Sequence, residues 1–166
     1  MTTVFTVVII TNTVLETPHV IVGAAIATKV VNPALALPLA FASHFVLEKI
    51  PHWNPHLNTE LIKHGRITNK SIKIVIVDST ISLIAGIYIA SQVLPNYYHF
   101  LVILAACFFS SLPDLIEAPY FFLNVRNKYI EKWISIQKSI QVDTSKIPGL
   151  LTQVIVIIAA LFWIFG

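Results

Sequence analysis

The sequence predicts an all-α, polytopic bundle of membrane-embedded helices, about five to six in number. Of 166 residues, 56% are hydrophobic and only 11% charged, and the mean hydropathy of +0.79 lies well above that of soluble domains. The apolar residues come in long runs, such as Ile74 to Leu94 and Gly149 to Phe165, of the length a transmembrane helix needs. Proline-bearing turns at 32–33, 51 and 95–96 separate these runs and supply helix boundaries.

Residues 1–15 admit either a short helix or an extended lead-in. They lack the basic n-region of a signal peptide, so the segment is expected to be retained. Thr17 suits an N-cap and Pro18 the first helical position, opening a segment from about His19 to Val31. Asn32-Pro33 repeats the device and opens a second segment that stops at Pro51. Each is shorter than the ~20 residues of a span, which predicts a short helical hairpin over 19–50. Residues 51–73 carry His52, His56, His64 and four basic side chains with Asn54, Pro55 and Gly65, and read as a loop. Ile74 to Leu94 is a full span, Pro95-Asn96 turns it, and Tyr97 to Leu112 starts another whose apolar character resumes after Pro113. In the segment 125–146, Ile130, Trp133, Ile134, Ile136 and Ile140 recur at helical spacing among basic residues. This predicts an interfacial amphipathic helix over 125–141. Gly149 to Phe165 adds a last hydrophobic helix, and 1–166 is expected to form one domain.

Ten of the eleven lysines and arginines fall in 49–73 and 126–146, whereas the turn at 95–98 has none. The positive-inside rule therefore places both basic segments in the cytoplasm. The formal charge of +3 lies in patches flanking apolar runs, a pattern that excludes a nucleic-acid partner and points to membrane lipid. Cys107, the only cysteine, sits inside an apolar run, so neither an intramolecular disulfide nor a cysteine-based zinc cluster can form.

Ionisable groups inside apolar helices are costly unless paired, which makes Glu16, His19, His44, Glu48, His52, Asp78, Asp114 and Glu117 the candidate functional residues. In this topology they map to the cytoplasmic ends of their helices. His44 and Glu48 share a helix face at four apart, as do Asp114 and Glu117 at three apart. Imidazole and carboxylate ligands without thiolate suit a divalent metal, zinc first, with manganese or iron open. Plainer roles compete: His19 as an interfacial residue, and Asp114 as the cap that restarts a helix after Pro113. Asp78 has no such rival, because Val75-Ile76-Val77-Asp78-Ser79 offers no cap and no cation nearer than Lys73.

The order His19-x3-Gly23, Ser43-His44-Phe45-x2-Glu48-x2-Pro51-His52-Trp53, an intramembrane Asp78 and Leu112-Pro113-Asp114 resembles small prokaryotic membrane-bound metal-dependent hydrolases. The resemblance spans roughly residues 17–120 and is most specific at SHFVLEKIPHW. It implies a multi-pass inner-membrane protein with a His/Asp metal site and a hydrolytic activity. By position, His19, His44, His52, Asp78 and Asp114 are then the metal candidates, with His19, His44 and Asp78 leading. Asp114 and Glu48 are the catalytic candidates, and the substrate is a lipid-linked or amphiphilic ester or phosphoester. The chain departs from the family's usual pattern at Glu48, where aspartate is common, and at Gln137-Lys138, where paired histidines are common. The alternative is a non-enzymatic scaffold or a small ion or proton pathway built on the same polar groups.

Overall fold

In the computed structural model, which describes residues 15–166, the chain folds into α1 (Glu16–Lys29), α2 (Pro33–Leu47), α3 (Leu57–His64), α4 (Asn69–Ser91), α5 (Tyr97–Phe122), α6 (Lys128–Ile140) and α7 (Lys146–Phe165). The lead-in expected over 1–15 falls, apart from Leu15, outside the described residues. No strand forms among the described residues, and a single bridge joins His52 to Asp143. The all-α expectation therefore holds, with one or two helices more than expected.

Helix α1 is the hub. Thr17 to Ile21, Gly23 to Ala25 and Ala27 are buried, and the helix packs against α2, α4, α5 and α7. Its run of small residues explains the position, since helices in an apolar surround associate through close backbone approach and van der Waals contact. Val20, Ile21, Ala24, Ala36, Ala40, Ile103 and Ala106 form the centre of the core. Helices α4, α5 and α7, of 23, 26 and 20 residues, are long and apolar enough to cross a membrane. Helices α1 and α2 have 14 and 15 residues, which at ~1.5 Å per residue fall short of a ~30 Å core. They form the short hairpin expected over 19–50.

Three boundaries differ from the sequence expectation. Residues 51–73 are not all loop: α3 forms at 57–64, and α4 begins at Asn69 rather than Ile74. Tertiary burial creates α3, as Leu57 packs with Ile67, Phe121 and Ile134, and Gly65 ends it at φ 67°. Thr68 then caps α4. The Glu60 carboxylate takes hydrogen bonds from the Thr68 amide (2.8 Å) and the Ser71 hydroxyl (2.7 Å). Slight burial works to raise the Glu60 carboxyl, but the bonds from Ser71 and Thr68, with His64 nearby, outweigh it and hold the group below its ordinary range. Finally, α5 runs unbroken through Pro113 and Pro119, so nothing restarts there and Asp114 is no cap.

Helix α6 keeps only Ile134 and Gln137 buried, and it docks on α5 through the Trp133 indole, which donates to the Pro113 carbonyl at 3.0 Å. The chain after α6 straps back onto the end of α2. The Val142 amide donates to Glu48 O (2.9 Å), His52 N to Val142 O (3.2 Å) and Thr144 N to His52 O (3.0 Å). Gly149 of α7 presses on the same strap, where a Cβ would meet the Trp53 backbone amide and, at 2.7 Å, His52 C. Gly149→Ala is therefore expected to cost about 1–3 kcal/mol through forced displacement, read as a lowered unfolding midpoint in detergent.

Candidate metal centre

Four elements meet at the end of the bundle where α1 begins and α2 stops. The first turns of α1 bring His19, the last turn of α2 His44, the proline-bearing part of α5 Asp114 and Glu117, and the inner face of α6 Gln137. Glu48 and His52 follow directly after α2. His19, His44 and Glu48 are 0–1% exposed, and Asp114 and Glu117 are 6% and 3% exposed. No lysine or arginine is buried among the described residues, so carboxylates gather here without a fixed cation.

The two imidazoles stack, with ring centroids 4.2 Å apart. One ligand atom each from His19, His44 and Asp114 can be chosen so that all three lie within 4.8 Å of one another. Tetrahedral bonds of ~2.1 Å to an ion set ligand atoms about 3.4 Å apart, so the triad closes on an ion by a contraction of about an ångström. Glu48 Oε1 lies 3.6 Å from His19 Nε2 and 3.8 Å from His52 Nε2. It has no hydrogen-bond partner, and neither do His19 Nδ1 and Asp114 Oδ2. His19, His52 and Gln153 also line a cavity of about 20 Å³, room for about one water.

Hydrogen-bond polarity at His44 shows what the cluster lacks. His44 Nδ1 lies 2.9 Å from the Ser110 carbonyl, which can only accept, so the proton sits on Nδ1 and the neutral ring turns the Nε2 lone pair inward. That lone pair faces Gln137 Oε1 at 2.9 Å, with Asp114 Oδ1 at 3.7 Å. The Gln137 amide nitrogen meanwhile donates to Glu117 Oε1 (2.8 Å) and Asp114 Oδ1 (3.3 Å). Flipping the amide would merely aim its oxygen at those two carboxylates. In either orientation acceptor faces acceptor, and the cluster requires a metal cation or an added proton. The donor set of two imidazoles and a carboxylate fits a divalent ion. The Ser110 bond is the outer partner that a metal-ligating histidine characteristically has.

His52 stands at the rim. Its Nδ1 donates to Ile50 O at 2.7 Å, and Nε2 lies 3.3 Å from the Gln141 amide. Burial pulls the imidazole below its ordinary range; the Ile50 carbonyl and Asp143 oppose this, and His44 adds to it. His52 is therefore held toward its neutral form, with the Nε2 lone pair accepting from the Gln141 amide nitrogen.

Asp78 stands apart from the converging triad. The sequence puts it among the leading ligands, yet its carboxylate caps α1 from across the bundle. Asp78 Oδ2 accepts from the Glu16 and Thr17 amides, and Oδ1 accepts from the Thr17 hydroxyl at 2.6 Å. Thr17 is accordingly not the N-cap; that position is Leu15, whose own side chain offers no cap bond. Asp78→Ala is expected to cost roughly 1–2 kcal/mol, the value of a lost cap, while leaving metal content unchanged. Calorimetry and elemental analysis of the same preparation separate the two effects.

Of the other expected residues, His19, His44 and Asp114 converge, with Glu48 and His52 beside them. Sequence reasoning misses Gln137 as a contributor, although the resemblance marks its position as a departure. Glu117 holds the Gln137 amide, and the Glu16 carboxylate lies near Asp114, Asp78 and Glu48. His99, on the far side, donates from Nε2 to Ala27 O at 2.9 Å and finishes α1. Fold and site together define a helical bundle with three candidate membrane spans and a buried imidazole–carboxylate cluster at one end. Compared with protein-family models, curated proteins and solved structures, the chain matches none of them.

Proposed function

We propose that this chain is a metal-dependent hydrolase of the prokaryotic inner membrane, its basic segments cytoplasmic, acting on an amphiphilic ester or phosphoester at the cytoplasmic leaflet. The observation that carries the reading is the convergence of His19, His44 and Asp114, one ligand atom from each within 4.8 Å of the others, inside a lysine- and arginine-free cluster of carboxylates. His19, His44 and Asp114 are the residues to hold the ion, zinc by preference for an N,N,O set. When bound, a divalent cation supplies Lewis acidity toward a carbonyl or phosphoryl oxygen and raises the acidity of water.

The chain's own groups do the rest. Ser110 fixes the His44 tautomer, and Gln137 positions Asp114 by tying it to Glu117. Glu48, unpartnered at Oε1 and flanked by His19 and His52, is placed to take a proton from an attacking water. The test is elemental analysis of purified protein: about one zinc, manganese or iron per chain is expected. A folded, metal-free preparation that gains no stability from added zinc would sink the proposal and leave the proton pathway.

A further inference from the structure

Helices α4 and α5 both lie against α1, and a cavity of about 470 Å³ is lined by residues of all three. Its α4 wall is Ser79, Ser82, Leu83, Gly86 and Ile87, an i, i+3, i+4, i+7, i+8 stripe along one face. Leu104, Cys107, Phe108, Ser111 and Leu115 form the matching stripe on α5, and Val20 of α1 is the floor. The volume lies within the ordinary range of ligand sites. Leu83, Ile87, Phe108 and Leu115 are exposed, so the cavity is open along the flank.

The two ends differ. At one, Gly86, Ile87 and Leu104 offer only hydrocarbon and backbone. At the other, Ser79, Ser111 and Glu16 line the cavity together, and the Glu16 Oε2 is buried and has no hydrogen-bond partner. Asp114, one of the three converging residues, lies close to that carboxylate. Eight residues separate Ser79 from Ile87 and eleven separate Leu104 from Leu115, which at 1.5 Å each gives a groove about 12–17 Å long. Half of a ~30 Å hydrocarbon core is about 15 Å. The groove is about as long as one leaflet's hydrocarbon is thick.

We propose that this groove holds one acyl chain of a membrane lipid, which lies along α4 and α5 and delivers a hydroxylated headgroup past Glu16 to the His19–His44–Asp114 cluster. This deepens the hydrolase reading, and depends on it for the chemistry after binding. Lateral entry along the exposed flank brings the substrate from the bilayer without extraction into water. Gly86 matters because a side chain there would press on Cys107 Sγ and Val20 Cγ1, each 3.2 Å from a Cβ. Glu16 Oε2, an unsatisfied acceptor, fits a hydroxyl donor on the headgroup.

The experiment uses the full chain in phosphatidylcholine nanodiscs containing phosphatidylglycerol with a diazirine in mid-chain. Photolabelling should concentrate on peptides 82–87 and 103–108. Ser79→Trp and Leu83→Trp, both at the open flank, should each reduce it at least fivefold, while Thr80→Trp, exposed but outside the groove, leaves it unchanged. Glu16→Leu, which removes both acceptor oxygens, should remove the preference for phosphatidylglycerol over a diazirine phosphatidylcholine. Label spread evenly over α4, α5 and α7 would overturn the proposal, as would label indifferent to both tryptophans or cross-links joining two copies through this face. Labelling is repeated after chelation: localised label on a protein that never binds metal keeps the groove and removes the hydrolase, whereas stoichiometric metal with diffuse label does the reverse.

Discussion

Replacing His44 by alanine is expected to bring metal content from about one ion per chain to below about a tenth, and hydrolysis with it. Loss of even an outer partner of a metal site costs roughly 10–100-fold in affinity, and His44 is placed as a ligand, so a larger loss is expected. The competing role for His44 is a core imidazolium, which donates from Nδ1 to Ser110 O and from Nε2 to Gln137 Oε1. The two roles separate in His44→Gln, whose amide can restore the Ser110 hydrogen bond but is a poor substitute for imidazole toward zinc. A structural histidine predicts that glutamine recovers most of the stability and any metal present. A ligand predicts recovered stability with no recovered metal. Asp114→Asn should behave as His44→Gln does, because asparagine can keep the contact with Gln137 while losing the charge that the ion offsets. Metal retained in both variants would overturn the assignment of the centre.

The polar residues of the centre are legible in sequence because burying a charge is expensive wherever it occurs, so Glu48 or Asp114 within an apolar run signals a role before any partner is known. Their common depth follows from helix direction and charge bias. What a role consists of is a matter of facing, which a single chain does not display. Asp78 is the instructive case: one carboxylate in an apolar helix serves a ligand set or a foreign helix N-terminus equally well, and only the approach of α4 to Glu16 and Thr17 decides it. Thr17 misleads for the same reason, since a local N-cap and a cap donated from elsewhere satisfy the same amides.

Gln137 shows the complementary blind spot. A neutral amide on an amphipathic helix is unremarkable in composition, yet it is the one polar group on the buried face of α6, beside Ile134. The departure from paired histidines marks the position without giving its geometry. Helix α3 and the unbroken α5 are hidden by the dominance of tertiary burial over local signals. Leu57 is fully buried under Phe121, and α5 keeps its axis through Pro113 while the Trp133 indole binds the Pro113 carbonyl.

The second large effect is expected at Gly23, where packing and site are the same contact. A Cβ built there would lie 2.5 Å from Ser110 Oγ and 2.8 Å from the Ala106 carbonyl. The obstacle is partly backbone, which cannot rotate away, so Gly23→Val must push α1 off α5. Overpacking of a tight interior costs about 1–3 kcal/mol, and valine at this crossing should reach the top of that range, a fall in melting temperature of about 6 °C or more. Ser110 also supplies the carbonyl that orients His44, while His19 sits one turn earlier on α1. Displacing α1 therefore separates the stacked imidazoles, and metal affinity should fall with stability although no ligand has been touched. Gly86→Ala is the control, because its nearest neighbours are the Cys107 thiol and a Val20 methyl, each 3.2 Å away and each on a side chain that can yield by a few tenths of an ångström. It should cost less than about 1 kcal/mol and leave metal bound. If Gly23→Val melted with wild-type midpoint and full metal content, the close crossing of α1 and α5, and with it the geometry of the centre, would be wrong.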